Sequence, residues 1–321
     1  MPSCLDTPFF PQTRPDRVRR YTDWLHGKAR GEPYGCLVIQ NGEIVIESYE
    51  EGATPERKWE IGSIRKSVTS TLLSMALSEQ RITLEDCVYP HWPDIYNLTQ
   101  NEKDRDILMK HLATNTSGWM TDQMPGRTWL YNNAACTAGG SVLGRIYDLT
   151  SDQIAPLVHQ RIANPIGATN WHCYHYAEPF TAGDFGKPGP KLAIDSTLRD
   201  LARFGYLWLN NGKWDQTQLI CGAYVGAART NQSRHANGHY GYWWFTNDDK
   251  VLLPGAPDDT FFHVGNGRNN RRTVLLMIPS LDLVAIVGTS ALAYDINRNY
   301  RARPVPEVNE WITNVLTAIG N

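Results

Sequence analysis

Strand-forming segments lie near the two ends of this 321-residue chain, and the middle of the chain is poor in them. Near the amino terminus, two apolar runs at 35–40 and 43–47 flank Asn41-Gly42, a strong short signal for a β-hairpin. Strand-like runs return only late in the chain, at 241–246, 260–264, 272–278 and 281–288. This distribution predicts one antiparallel sheet that draws on both ends of the sequence.

Helical periodicity dominates the rest of the chain. The predicted helices are 16–26, 63–80, 106–112, 134–149, 151–162, 196–210 and 305–319. We therefore predict an α/β fold of the α+β type, in which an antiparallel sheet is flanked by helices and an all-helical lobe is inserted. The predicted unit is a single two-lobed domain over 1–321, with an α/β lobe at about 1–80 and 196–321 and a helical lobe at about 81–195.

Charge and composition narrow the classes of partner. Lysine and arginine number 31 and acidic residues number 33, so the net charge of −2 does not favour a nucleic acid or an anionic membrane. The first twenty residues have no apolar export segment, and no eighteen apolar residues run together, so we expect a cytoplasmic protein with a small-molecule or short-peptide partner. The six cysteines form no C-x-x-C pair, which favours free thiols and no metal site.

Ser63-Ile64-Arg65-Lys66 places a hydroxyl and an amine one turn apart at the start of a predicted helix. A serine hydroxyl becomes a good nucleophile when a base lies within hydrogen-bond reach, and a lysine acts as that base when burial or a nearby cation lowers its pKa. An S-x-x-K occurs by chance about once in a chain of this length. A helix-capping serine beside a solvated lysine is therefore the alternative that this motif alone leaves open.

Two further motifs follow in the chain. Tyr131-Asn132-Asn133 comes after a Pro125-Gly126 turn, and His263-Val264-Gly265 closes a predicted strand. In this order and at these separations, the three motifs resemble the signature of the serine β-lactamase and penicillin-binding-protein superfamily. The form of the second and third motifs is most similar to the class C branch and its esterase, transesterase and 6-aminohexanoate-oligomer hydrolase relatives. Class A enzymes instead carry S-D-N and K-T-G at these two motifs.

The resemblance extends over nearly the whole chain. Residues 111–118 are similar to the family stretch H-L-L-T-H-T-S-G and depart from it at Ala113 and Asn115. The segments 196–205 and 241–244 are also similar to family sequences.

The resemblance implies a serine hydrolase that needs no cofactor. Ser63 would attack an acyl carbonyl, and Lys66 with the Tyr131 phenol would carry protons to the leaving group and later from water or another acceptor. Asn133 would hold Lys66 and a polar part of the substrate.

The same resemblance implies a set of supporting residues. The backbone N–H groups of Ser63 and Asn266, just after Gly265, would form an oxyanion hole. The strand that carries His263 would form one wall of the cleft, and Trp243 is a candidate for substrate binding. Since Tyr242, Trp243 and Trp244 alternate along a predicted strand, about half of them should be core residues.

His263 departs from the family pattern, because β-lactamases and peptidases have the lysine of K-T-G there. This weakens the expectation of a penicillin or peptide carboxylate as ligand, unless Arg268, Arg271 or Arg272 supplies the missing charge. Four functions remain open: hydrolysis of an ester or amide, acyl transfer to a specific amine or alcohol, β-lactamase or D-alanyl peptidase activity, and a non-catalytic binding module. Hydrolysis of an ester or amide is the preferred one, and oligomeric state is not predicted.

Overall fold

The computed structural model of the chain describes residues 15–149, 153–175, 192–267, 272–289 and 305–320. The strands in these ranges are β1 (Tyr34–Gln40), β2 (Glu43–Glu50), β3 (Trp59–Glu60), β4 (His172–His175), β5 (Leu192–Ser196), β6 (Lys213–Trp214), β7 (Thr217–Gln218), β8 (Phe245–Thr246), β9 (Phe261–Asn266), β10 (Arg272–Ile278) and β11 (Leu283–Thr289). The helices are α1 (Pro15–Ala29), α2 (Arg65–Ser78), α3 (Asp94–Asn97), α4 (Met109–Ala113), α5 (Asn133–Ile146), α6 (Ile154–Val158), α7 (Leu198–Leu209), α8 (Gly222–Ala228) and α9 (Pro306–Ile319).

The main sheet is antiparallel and has the strand order β2-β1-β11-β10-β9-β8. Asn41 and Gly42 form the predicted hairpin turn, with φ of 53° and 77°, the left-handed backbone that a tight two-residue hairpin requires. Strand β1, from the first part of the sequence, pairs with β11 along its whole length, from Tyr34↔Thr289 to Gln40↔Leu283. The predicted sheet built from both ends of the chain is thereby confirmed.

Helices cover both faces of this sheet. Helix α7 packs on one face, where a Cβ at Gly205 would lie 2.8 Å from side-chain atoms of both Leu275 and Val284, so this glycine permits the close approach. Helices α1 and α9 pack together on the other face, and the Trp311 indole N–H donates to the Tyr21 hydroxyl at 2.8 Å. The predicted α+β class with flanking helices is confirmed.

Helix α2 lies between the sheet and the helical part of the chain. Nearly all of its side chains are buried, and its serines bond to neighbouring segments: the Ser67 hydroxyl donates to the Trp243 carbonyl at 3.0 Å, and the Ser70 hydroxyl to the Tyr242 carbonyl at 2.7 Å. Small polar side chains therefore let α2 be enclosed on several sides without leaving buried hydroxyls unpaired.

The predicted strand at 241–246 is wrong except for its last two residues, which form β8. Trp243 has φ of 58°, so the chain bends there rather than alternating as a strand. The predicted alternation of pocket and core also fails, because Trp243 and Trp244 are both fully buried and Tyr242 is partly buried.

The second sheet, with strand order β3-β5-β4, joins the two predicted lobes. Strand β4 belongs to the stretch assigned to the helical lobe, whereas β3 belongs to the first part of the α/β lobe. The boundaries at about 80 and 196 stay predictions.

Candidate active site

Ser63 lies in a short 3₁₀ turn, Gly62–Ile64, that leads directly into α2. The side chain is partly exposed, whereas Ile64 behind it is fully buried and anchors the turn in the core. At the start of a helical segment the first backbone N–H groups have no partner within the helix, and the helix dipole is positive there. The hydroxyl is thus presented where a developing negative charge would be stabilised.

Lys66 is the centre of the site. Its side chain is only 2% exposed, and its Nζ atom lies 2.9 Å from Ser63 Oγ, 2.8 Å from Tyr131 OH and 2.8 Å from Asn133 Oδ1. The amine also lies 4.6 Å from the centre of the Tyr131 ring. The structure therefore brings four of the sequence-predicted site residues into one hydrogen-bonded cluster.

The loop that presents Tyr131 is held by two asparagines. Asn132 caps α5, since its side-chain oxygen accepts the Ala135 N–H at 3.1 Å while its amide donates to the Trp119 carbonyl at 2.8 Å. Asn115 accepts the Asn132 N–H on its side-chain oxygen at 3.2 Å and the Leu130 N–H on its carbonyl at 2.9 Å. Asn115, a departure from the family stretch, thus fixes the backbone on both sides of Tyr131.

The end of β9 packs against the backbone before Ser63. A Cβ at Gly265 would lie 2.0 Å from the Ile61 carbonyl oxygen, and one at Gly62 would lie 2.5 Å from the Asn266 carbonyl oxygen. Two glycines are therefore required for this contact between backbones. It places the Asn266 backbone beside the Ser63 turn, where the sequence predicts the second oxyanion-hole donor.

His263 is fully buried on β9 and lies behind the tyrosines rather than in an open cleft wall. Its Nδ1 lies 3.1 Å from the Val264 carbonyl, which only accepts, so Nδ1 carries the proton and Nε2 is the acceptor. The Tyr240 hydroxyl, 3.3 Å away, then donates to Nε2. Tyr240 packs edge-on against Tyr131, so the buried His263 side chain contacts Tyr240 behind that ring, while the cleft wall expected from its strand stays a prediction.

Burial, together with the positive charge of Lys66, holds the pKa of His263 well below its usual range. Burial likewise raises the pKa of the Tyr240 phenol well above its usual range. Both groups are therefore neutral near pH 7, and the region behind Tyr131 carries no charge from either of them.

We expect His263→Gln to lower kcat/KM less than tenfold and to leave the midpoints of the pH–rate profile unchanged, because glutamine still offers Tyr240 a side-chain acceptor. A general base typically contributes about 100-fold or more. Initial rates between pH 5 and 9 would measure both quantities. A loss of about 100-fold together with a vanished acid limb would instead make His263 the base.

Trp243 is fully buried and does not face a substrate in this structure. Its backbone N–H donates to the Ala113 carbonyl at 2.9 Å, and a Cβ at Gly139 would lie 2.6 Å from its ring. The indole packs against α5, and the Trp243 carbonyl accepts a hydrogen bond from Ser67 of α2, so we correct its assignment from substrate binding to packing. Buried indoles supply large apolar area, which explains the position.

The three arginines considered as a replacement for the missing lysine are Arg268, Arg271 and Arg272. Arg268 and Arg271 lie outside the described residues, and Arg272 begins β10.

Within the described ranges, no group of three or more His, Cys, Asp or Glu residues is placed to hold a metal ion. No helix in those ranges is both long enough and apolar enough to span a membrane. Cysteines without a disulfide in the described ranges are Cys36, Cys87, Cys136, Cys173 and Cys221, and Cys4 lies outside them.

Three side chains around Tyr131 were missed by sequence reasoning. Phe245 stacks on the Tyr131 ring at 5.8 Å with an interplanar angle of 12°, Tyr240 lies edge-on at 6.3 Å, and Asn115 anchors its loop. The departure at position 115 was a usable signal, since asparagine readily adopts the left-handed backbone observed there, with φ of 57°. Tyr240 and Phe245 stand in no motif, and only the fold brings them to Tyr131.

Solved structures show the same fold at low identity. A protein of Bacteroides dorei DSM 17855 with the provisional name beta-lactamase has a TM-score of 0.70 at 16% identity and covers 97% of this chain and 100% of its own. The octameric penicillin-binding protein homologue of Pyrococcus abyssi has a TM-score of 0.66 at 15% identity, and the match covers 86% of this chain and 74% of its own. A protein of Bacillus anthracis with the provisional name 6-aminohexanoate-dimer hydrolase has a TM-score of 0.65 at 18% identity, and the match covers 91% of this chain and 79% of its own.

The amino-acid sequence matches the family model described as Beta-lactamase over residues 34–309, which is most of the chain. The match includes all three motifs, and the cluster around Lys66 joins residues of the first two. The protein therefore belongs to the beta-lactamase family.

Proposed function

We propose that this protein is a serine hydrolase that cleaves an ester or amide through an acyl intermediate on Ser63. The observation that carries the proposal is the position of Lys66 Nζ, 2.9 Å from Ser63 Oγ and 2.8 Å from Tyr131 OH. One buried amine thus touches both the candidate nucleophile and a second proton carrier. Because the protein encloses this amine, water is excluded and does not compete with Ser63 and Tyr131 for its hydrogen bonds.

The partners of Lys66 are compatible with a proton-accepting role, which our proposal assigns to it. Asn133 Oδ1 is an acceptor only, so one N–H of the amine points there, whereas Ser63 and Tyr131 are hydroxyls that can donate or accept. A neutral amine has two N–H donors and one lone pair. It can therefore donate to Asn133 and to one hydroxyl while it accepts the proton of the other.

Acylation in this geometry begins when Ser63 Oγ attacks the substrate carbonyl carbon and its proton passes to Lys66 Nζ. The carbonyl oxygen becomes an oxyanion, which the backbone N–H groups of Ser63 and Asn266 would stabilise. As the bond to the leaving group breaks, Tyr131 OH gives its proton to the departing oxygen or nitrogen, and Lys66 returns a proton to the Tyr131 oxygen. The enzyme is left with Ser63 acylated and both proton carriers restored.

Deacylation reverses these transfers with water in place of the leaving group. Water gives its proton to the Tyr131–Lys66 pair, attacks the acyl carbon, and Ser63 Oγ leaves with a proton from Lys66. Water is the acceptor in our proposal, and transfer to an amine or alcohol would follow the same steps with that acceptor.

The third motif favours simple esters and amides over β-lactams. The position that carries a lysine in β-lactamases carries His263, which is fully buried and neutral near pH 7. It therefore supplies no fixed cation for a penicillin carboxylate. We propose a small-molecule ester, amide or short peptide as substrate, and expect 4-nitrophenyl esters to be turned over and a chromogenic cephalosporin to be poor.

A fluorophosphonate should form one covalent adduct per protein molecule, on Ser63. The reagent mimics an acyl substrate and reacts only with an activated hydroxyl, which the 2.9 Å contact with Lys66 provides. Intact-mass analysis followed by peptide mapping would measure the stoichiometry and the site.

Ser63→Ala is the specific control, and Ser141→Ala is a matched change on α5, away from Lys66. We expect the adduct to vanish in Ser63→Ala and to persist in Ser141→Ala. Folded wild-type protein that takes up no reagent would overturn the acyl-enzyme proposal and favour a binding module of the same fold.

A further inference from the structure

A cavity of about 40 Å³ lies between α2 and α5, and Lys66 is one of its lining residues. Its walls are mainly aliphatic: Leu72, Leu143, Leu149, Ile154, Leu157 and Leu192. The volume gives room for a few water-sized groups. The mechanism above does not use this space.

Arg65, one of the two residues between Ser63 and Lys66, also lines the cavity. The side chain is only 6% exposed, yet it makes no ion pair and no side-chain hydrogen bond with any residue of the described chain. Burial lowers the pKa of its guanidinium, but arginine keeps its charge in proteins. Glu60 contributes a favourable charge to Arg65, but no ion pair forms between them in the described chain. A buried cation without an ion-pair partner is destabilising, so its presence beside a cavity points to a missing anionic partner.

Gly140 provides a second and independent observation. It lies in the interior of α5 on the cavity wall, and a Cβ there would meet no atom within 4 Å. The neighbouring Gly139 differs, because a Cβ there would clash with Trp243. A glycine in the interior of a helix makes the helix less stable than an alanine there would. Close packing against Trp243 explains the glycine at position 139. It does not explain Gly140, where the missing side chain leaves the cavity open.

We propose that this cavity binds the carboxylate of a small aliphatic acid, with the carboxylate on Arg65 and the carbon chain against the leucine and isoleucine walls. A planar guanidinium matches a carboxylate through paired N–H···O bonds. The aliphatic walls favour a ligand with carbon attached over an inorganic anion.

The carboxylate has two possible sources with the same chemistry. It is either part of the acyl group of the substrate, in which case the inference rests on the proposed function of Ser63, or it belongs to a separate acid such as the released product. Lys66 lines the cavity and its Nζ contacts Ser63 Oγ, so the cavity and the candidate nucleophile are neighbours.

Binding is tested with sodium butanoate, against butanamide and sodium chloride at matched concentrations. We expect butanoate to raise the Tm of the wild-type protein by a few degrees, because a ligand bound only by the folded state stabilises it. Butanamide has the same shape without the charge and should have no such effect. Differential scanning calorimetry measures the shift.

Two variants remove the site in different ways. Arg65→Met removes the charge, and Gly140→Leu fills the open space with a good helix former while Arg65 stays in place. Both should lose the butanoate shift, whereas Arg145→Met, an exposed change on the same helix α5, should keep it. If Arg65→Met does not fold, Gly140→Leu decides alone.

A butanoate shift that persists in Gly140→Leu, or that sodium chloride reproduces, would overturn the proposal. The source of the carboxylate is decided by comparing 4-nitrophenyl hydrogen glutarate with 4-nitrophenyl pentanoate. If the acyl group carries the carboxylate, Arg65→Met should lower the ratio of their kcat/KM values by about 10–100-fold.

An unchanged ratio with an intact butanoate shift would support the site and assign it to a separate acid. A wild-type protein that binds butanoate but hydrolyses neither ester would leave the cavity assignment standing and count against the function of Ser63. Hydrolysis of both esters without any butanoate shift would reject the cavity assignment alone.

Discussion

Lys66→Met is expected to lower kcat/KM for ester hydrolysis by about 1,000-fold or more, since it removes the only base that contacts Ser63 Oγ in the described site. The variant should fold, because methionine fills a similar volume and replaces a buried amine by an apolar group. Initial rates with a 4-nitrophenyl ester and the rate of fluorophosphonate labelling would both measure the loss.

Two comparisons separate proton transfer from a general effect of charge. Lys110→Met makes the same chemical change at a more exposed site outside the cluster and should retain full activity. Tyr131→Phe removes a single oxygen and should lower the rate by about 100-fold, because Lys66 can still accept the Ser63 proton but the leaving group loses its donor. A Lys66→Met enzyme within tenfold of wild type would remove Lys66 from the mechanism.

Gly265→Ala is expected to lower the free energy of unfolding by about 3 kcal/mol or more and to slow acylation in the protein that still folds. A Cβ at this position would lie 2.0 Å from the Ile61 carbonyl oxygen, and both partners are backbone segments that cannot rotate away as a side chain would. The end of β9 must therefore move from the Ser63 turn. Urea denaturation measures the stability, and the rate of fluorophosphonate labelling measures the effect on Ser63.

Gly226→Ala is the matched control, because a Cβ at Gly226 in α8 would meet no atom within 4 Å. This change should leave labelling unchanged and leave stability equal or slightly raised, since alanine is the better helix former. Equal stability of Gly265→Ala and wild type would show that the two backbones do not pack as closely as described.

The fold was largely accessible from the sequence because its signals are local. Asn41-Gly42 between two apolar runs predicts a hairpin from backbone preferences that do not depend on distant residues. The run at 241–246 failed for the opposite reason. Its aromatic residues suit a strand, but Trp243 adopts φ of 58° because its backbone N–H bonds to Ala113 and its ring fits against Gly139, far apart in sequence.

The candidate site was likewise predictable only in part. The resemblance of the motifs singled out Ser63, Lys66, Tyr131 and Asn133. The structure places the polar ends of these four side chains in one hydrogen-bonded cluster. The motifs also selected His263, but a motif says nothing about burial. The structure shows it to be an enclosed partner of Tyr240.

The sequence by itself predicted most of the main sheet and the order of its main helices, because hydrophobic period and turn chemistry are written in neighbouring positions. The candidate central residues came from the resemblance of three motifs to a known family. Only the tertiary structure decided which side chains contact Lys66, how closely β9 approaches the Ser63 turn, and that Arg65 lines a cavity without an ion-pair partner in the described chain. These properties depend on distances between segments that are remote in the chain, and such distances are set by the packing of the whole core.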